Sequence, residues 1–303
     1  MSPSGEQVRL ESSGYTADVV TVGGALRTLE SAGRPLVRSW SAEEMMPVFS
    51  GAVLAPWPNR IGDGAYSFGG QELQAPINEV ERGNALHGLV GWAEWEVAER
   101  SADRVRLSYR LRPNPAYPWQ LALSVTYALS AEGLAWTLTA RNESDSAAPY
   151  GGSVHPYFVA AATGHVDDWR LELPAASYLV VDDERLLPVE VVPVAGTPFD
   201  FTQGRVIGDT FVDHAFTELA AGDDGLVQAR LLSADGTGVE VSWDAASPWV
   251  QVHTADRPEE RLNRTGLAIE PMTCPPDAFR TGIDLVVLEP GAEHSVSWHV
   301  RAV

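Results

Sequence analysis

LALSVTYALSAEGLAWTLTARN, Leu121–Asn142, alternates apolar and polar residues on both sides of a short turn at Ser130–Gly133. Leu121, Leu123, Val125, Tyr127 and Leu129 fall on one face of the first segment, and Leu134, Trp136, Leu138 and Ala140 on one face of the second. Side chains on a strand point alternately to its two faces, so this period-two pattern predicts two strands, each with one apolar side. Arg104–Leu111 upstream repeats it with Val105, Leu107, Tyr109 and Leu111, and Trp92–Glu99 precedes it at hairpin distance. One apolar face per strand marks an antiparallel sheet packed on a second sheet.

The same period extends in both directions. Tyr15–Val22, Ala25–Leu29 and Arg34–Arg38 read as strands near the start of the chain, and Tyr66–Phe68 and Gln71–Leu73 flank a Gly69-Gly70 hairpin turn. Beyond the meander follow Arg170–Leu173, Tyr178–Val181, Val189–Val194, Val227–Leu232, Gly238–Trp243, Trp249–Thr254, Leu267–Glu270, Asp284–Leu288 and His294–Val300. Helical periodicity is hard to find. With no low-complexity linker and no internal repeat, the expectation is an all-β fold, one large antiparallel β-sandwich.

Composition narrows the function classes. The 303 residues are 45% hydrophobic and 20% charged, enough for a chain that buries about three quarters of its unfolded surface. The net charge of −20 repels phosphate backbones and anionic lipid, so neither nucleic acid nor a membrane is an expected partner. It also weighs mildly against phosphorylated substrates. The single cysteine, Cys274, allows no intrachain disulfide and has no evident base beside it. The first residues, MSPSGEQVRLESS, lack the basic start and apolar core of a signal peptide, which leads to an expected cytoplasmic location. The ten tryptophans suit either a packed core or stacking on sugar faces.

Chemistry concentrates where the alternation breaks. YGGSVHPYF, Tyr150–Phe158, presents His155 between a glycine pair and two aromatics. PWPNRIG places Arg60 in a loop rich in proline and glycine, and LHGLVGW sets His87 before Gly88. VDHAF holds Asp213 and His214 ahead of a strand, and LAIEPMTCPPDAF puts Glu270 at a strand end before a proline-rich turn. An acid–base enzyme acting on an uncharged polyol needs one proton donor, one acceptor and a few groups that fix the ring. Arg60, His87, His155, Asp213 and Glu270 supply that set. His253, in WVQVHTAD, points either into the same cleft or into the core, and His214 reads as structural.

Asn59-Arg60-Ile61, Leu86-His87-Gly88, His155-Pro156-Tyr157-Phe158, GTPFDF at Gly196–Phe201, Asp213-His214, and Glu270 with Pro275–Phe279 occur in one order. Together they resemble the aldose 1-epimerase (galactose mutarotase) family over most of the chain, from about Ala25 to Leu288. The resemblance implies the galactose mutarotase-like supersandwich, with residues 1–303 as one domain. It implies interconversion of the α and β anomers of a free aldose such as galactose or glucose, without cofactor or metal. His155 is then the general acid on the ring oxygen, and Glu270 the general base on the anomeric hydroxyl. Arg60, His87 and Asp213 bind substrate hydroxyls. Push and pull at neutral pH calls for ionised Glu270 beside protonated His155. Two positions depart from the commonest pattern: Val159-Ala160 where many relatives carry Asn-Leu, and Leu89 where a second glycine is frequent.

Three alternatives stand beside this reading. A hexose-6-phosphate 1-epimerase would need arginines or lysines converging on the phosphate, for which Arg82, Arg257, Arg261 and Arg264 join Arg60 as candidates. A non-catalytic sugar-binding protein would have lost the acid or the base. A metal site on His87, His155 and Glu270 lacks the short ligand spacing of zinc sites. The preferred aldose and the choice between monomer and homodimer stay open.

Overall fold

The computed structural model describes residues 2–303, and its strands follow the alternation with few exceptions. Leu121–Ser130 pairs with Gly133–Asn142 without a break, and Leu121, Leu123, Val125, Tyr127 and Leu129 are all buried. These two strands sit within a nine-stranded antiparallel sheet. Its order is Glu96–Arg100, Arg104–Leu111, Leu121–Ser130, Gly133–Asn142, Glu293–Ala302, Gly238–Trp243, Val227–Leu232, Arg170–Glu172, Arg205–Val206. The C-terminal strand therefore docks in the middle of the sheet, between segments far from it in sequence. Trp136 lies opposite both Tyr127 and Trp298, so the aromatic residues form a cross-strand row on the inner face.

A six-stranded sheet runs Tyr157–Phe158, Leu267–Met272, Trp249–His253, Asp213–Leu219, Ala175–Val181, Pro188–Pro193. A four-stranded sheet is built from Gln7–Ser12, Tyr15–Val20, Leu26–Ser31 and Arg34–Pro35. All three contribute to one contiguous apolar core: Leu107, Val125 and Trp298 from the first, Val252 and Ile269 from the second, Leu10 and Leu29 from the third. The result is an all-β fold of large antiparallel sheets. Nine tryptophans fill buried positions and only Trp92 is exposed, so packing accounts for the abundance of indole.

One strand lies outside the sequence pattern and three local readings are corrected. Gln7–Ser12 is a strand although only Val8 and Leu10 mark its inner face, too few residues for the pattern to stand out. Arg60 opens a short strand, Arg60–Gly62, paired with Asn84–Leu86, rather than lying in a loop. Glu270 is inside Leu267–Met272 rather than at its end, because Pro271 and Met272 continue the pairing with Val250 and Trp249. The proline-rich turn then closes with one helical turn, Ala278–Thr281. No helix among the described residues is long and apolar enough to cross a membrane.

Candidate active site

Strand register assembles the site. Gln251 and His253 are two apart on Trp249–His253 and so share a face, while Val250 and Val252 share the other. Glu270 lies opposite Gln251 on one neighbouring strand, and Asp213 lies opposite His253 on the other. Directly opposed residues of an antiparallel pair project to the same side. Four polar side chains from three adjacent strands thus face one cleft. His214, next to Asp213, must point the other way; its ring packs against Phe199 and Tyr178 and its Nδ1 meets the Leu179 carbonyl oxygen at 3.2 Å.

His155 arrives from the loop between Ser153–Val154 and Tyr157–Phe158. Its backbone N–H donates to the Ala52 carbonyl oxygen at 3.0 Å, and its own carbonyl accepts from the Gly51 N–H at 2.8 Å. Upstream, a glycine lets the chain pass close to the proline-rich turn: a Cβ at Gly151 would lie 2.5 Å from Cys274 Sγ. His155 Nε2 stands 3.5 Å from Glu270 Oε1, and its ring packs edge-on to His87 with centroids 5.0 Å apart. His87 has its N–H bound to the Asn59 carbonyl oxygen at 2.8 Å. Both His87 and Asn59 are in the left-handed region, with φ of 63° and 53°, and Gly88 leaves no room for a Cβ, which would lie 2.1 Å from the Ala55 oxygen.

Arg60 donates to both oxygens of Glu79, at 2.9 Å each, and its Nη2 is 3.7 Å from Asp213 Oδ2. This fork fixes the guanidinium at the wall of the cleft. Asp213 Oδ1 accepts from Gln251 Nε2 at 2.6 Å and lies 3.8 Å from His253 Nδ1. The cleft, about 480 Å³, is lined by Arg60, His87, His155, Asp213 and Glu270, all five of the residues singled out by sequence. Asn59, Glu79, Gln251, His253 and Arg257 line it too; the sequence names Asn59 only within a motif, leaves His253 between cleft and core and offers Arg257 only to a phosphate, while Glu79 and Gln251 go unmarked. Gln251 and His253 had a readable signal, polar residues at alternate positions of an otherwise apolar strand. Glu79 had none, since only the fold brings it to Arg60.

Burial dominates the electrostatics of the cleft. Burial drives the His155 imidazole down to about 3, with the charge of His253 adding to the effect, so the ring rests neutral rather than protonated. Burial likewise holds the Glu270 carboxyl well above the ordinary range, helped by Asp213 and opposed by Arg60 and Arg257. Burial and the nearby His155 and Arg60 push His87 well below the usual imidazole value. Asp213 behaves oppositely: burial would raise it, but His253 and Arg60 together carry it below normal. Cys274 is buried and pushed up to about 12.

Unpartnered polar atoms mark where a ligand would bind. Glu270 Oε2, His155 Nδ1, His87 Nδ1, Gln251 Oε1 and both nitrogens of His253 are buried without a hydrogen-bond partner. Buried polar groups are ordinarily satisfied, so six such atoms around one cleft describe a surface that a hydrogen-bonding ligand can satisfy.

The sequence matches the family model described as aldose 1-epimerase over residues 6–301. It is 39% identical over 301 residues to the uncharacterised protein YihR of Escherichia coli, covering 99% of this chain and 94% of that one. It is 27% identical to the human galactose mutarotase, over 96% of this chain and 93% of the relative. Among solved structures, a galactose mutarotase-like protein from Clostridium acetobutylicum superposes with a TM-score of 0.86 at 19% identity, covering 98% of this chain and 95% of that one. The galactose 1-epimerase of Lactobacillus acidophilus gives 0.81 at 23%, over 98% and 94%. These last two likenesses bear on the fold, which is the galactose mutarotase-like supersandwich.

Proposed function

We propose, from the premise that this chain belongs to the aldose 1-epimerase family, that its cleft interconverts the α and β anomers of a free, unphosphorylated aldose by acid–base ring opening and closure. The coarser statement, an isomerase of the aldose epimerase type acting on sugars, follows from membership. The finer one rests on a single observation: Glu270 and His155 stand 3.5 Å apart in a cleft ringed by unpartnered polar atoms.

In this reading Glu270 takes the proton of the anomeric hydroxyl while His155 gives one to the ring oxygen. The bond between C1 and the ring oxygen breaks, leaving an open-chain aldehyde. Rotation about C1–C2 turns the other carbonyl face to the hydroxyl, and the ring closes with both proton transfers reversed. Arg60, His87 and Asp213 hold the remaining hydroxyls, with Gln251 completing the set. Burial disfavours charge on both groups, whereas the reactive pair is ionised Glu270 beside protonated His155. Sugar hydroxyl groups that donate to the Glu270 oxygens favour its ionised form.

Polarimetry on freshly dissolved α-anomers tests the assignment. Glu270→Gln and His155→Asn are expected to lower turnover by about 10²–10⁴-fold, the usual worth of general acid–base groups, while sugar still binds. Arg60→Ala and Asp213→Ala are expected to raise KM as well. If either of the first two variants keeps mutarotation near the parent rate, the assigned roles are wrong.

A further inference from the structure

Three arginines line the cleft, and their partners divide them. Arg60 is forked on Glu79, and Arg82 reaches the same carboxylate at 3.9 Å. Arg257 has no carboxylate within ion-pair distance among the described residues, and its buried Nε–H meets no acceptor. Among the three cleft arginines it alone lacks an acid. The nearest carboxylates in sequence are already engaged: Asp256 binds Arg264 at 2.8 Å and accepts from the Thr254 hydroxyl, and Glu259 binds Arg261. Nor is Arg257 on a loose tether. Its backbone N–H donates to Asn263 Oδ1 at 3.1 Å, and the Arg264 N–H closes the loop on the Ala255 carbonyl at 2.9 Å.

The guanidinium lines the cleft with His155, and its charge bears on Tyr157, whose ring packs against that of His155 with centroids 4.9 Å apart, as well as on His155, Glu270, His87 and His253. In the ring-opening chemistry proposed above, on which this step rests, His155 faces the ring oxygen. The carbon next to that oxygen carries the exocyclic carbon of a hexose. A substituent on the exocyclic carbon therefore falls on the side of the cleft that Arg257 occupies, near the unpartnered ring of His253.

We propose that Arg257 receives a singly charged oxyanion, a carboxylate or a sulfonate, carried on the exocyclic carbon of the sugar, and that the preferred substrates are anionic hexoses rather than neutral ones. A planar guanidinium matches two oxygens of such a group at once. A phosphate dianion fits less well, because Arg257 is the one cleft arginine without an acid and Glu81, Asp213, Asp256 and Glu270 line the same space. A second negative charge would be left unpaired there. Binding the anion would also offset the positive charge that opposes protonation of His155, coupling recognition of the far group to readiness of the acid.

The test is kcat/KM for anomer exchange, followed by polarimetry or magnetisation-transfer NMR, on four sugars of one stereochemical series: the hexose, the hexuronate, the 6-deoxy-6-sulfonato hexose and the hexose 6-phosphate. The unaltered protein is expected to favour the uronate or the sulfonate over the neutral hexose by about 10–100-fold, the worth of a charge-assisted hydrogen bond. Which of the two leads identifies the anion. Arg257→Gln should collapse that preference ratio toward one, chiefly through KM, and Arg257→Lys should retain part of it. A preference of the unaltered protein for the neutral hexose or the phosphate would overturn the proposal, as would a ratio untouched by Arg257→Gln. Absence of exchange on all four sugars would instead condemn the ring-opening reading itself.

Discussion

In the nine-stranded sheet, Leu121–Ser130 alternates buried and half-buried residues along its length, whereas Trp249–His253 and Leu267–Met272 in the six-stranded sheet are buried at every position. The first sheet keeps one face wet, so its polar side chains meet water and its apolar ones meet the core. The second is covered on both faces, yet carries Gln251, His253 and Glu270 inward. Placing polar groups there without partners costs stability, about 1–3 kcal/mol for each lost hydrogen bond. The two sheets thus divide the work: one supplies burial, the other spends some of it to hold reactive groups dry.

The sharpest way to break this contrast is to exchange the kinds of damage. Leu138→Ala removes a fully buried side chain from the inner face of the nine-stranded sheet. It is expected to cost about 2–5 kcal/mol in urea unfolding while leaving turnover of the folded fraction intact. Glu270→Gln should do the reverse. Its carboxyl is raised in the folded state, so the folded protein keeps a proton that the unfolded chain gives up above about pH 4.3. That costs stability as pH rises through the window between the two values. The variant, uncharged throughout, should equal the parent near pH 4 and exceed it in melting temperature at pH 8. A Glu270→Gln protein less stable than the parent at pH 8 would show that the carboxylate is paired, and the contrast between the sheets would fail.

How much of this was legible follows the same division. Arg104–Leu111, Val227–Leu232 and Gly238–Trp243 were predicted to the residue, and Leu121–Ser130 and Gly133–Asn142 to within one. Short two-residue pairings such as Ser153–Val154 with Val53–Leu54 were not, because two residues carry no period. For the site, motif order named Arg60, His87, His155, Asp213 and Glu270, and the cleft contains all five. The contact between Arg60 and Glu79 depends on strand placement that no local pattern encodes. The resting neutrality of His155 is not legible in the sequence, which shows its charged neighbours but not the depth at which it is buried.

A smaller effect sharpens the contrast from the acid side. His87, His155 and His253 face the cleft, and burial lowers all three imidazoles. A histidine lowered in the folded state contributes stability fully above the unfolded value, about 6.5, and loses it as pH falls toward the folded value. Each adds at most about 1.4 kcal/mol per pH unit in that window. Glu270 opposes them above about pH 4.3, but one carboxyl faces three rings. Melting temperature should therefore fall from pH 6.5 to 5, and a His87→Phe, His253→Phe double variant should flatten the slope. An unchanged slope would mean that the cleft histidines take up protons as readily as exposed ones.

The smallest expected effect belongs to the outer face of the nine-stranded sheet, where it sets the baseline for the cleft. Thr137 and Ser297 lie directly opposite each other and share a hydrogen bond of 2.8 Å between half-buried hydroxyls. Gln251 and Asp213, at 2.6 Å, make a bond of similar length inside the cleft. Water can replace either hydroxyl partner on the outer face, so a cycle of Thr137→Val and Ser297→Ala should give a coupling of about 0.2–1 kcal/mol and no change in KM. Gln251→Leu is expected to raise KM instead, because it frees Asp213 from the partner that aims it. The two bonds differ in what surrounds them rather than in length. A coupling above about 2 kcal/mol at Thr137–Ser297 would place that pair among desolvated networks and remove the distinction between a wet face and a dry one.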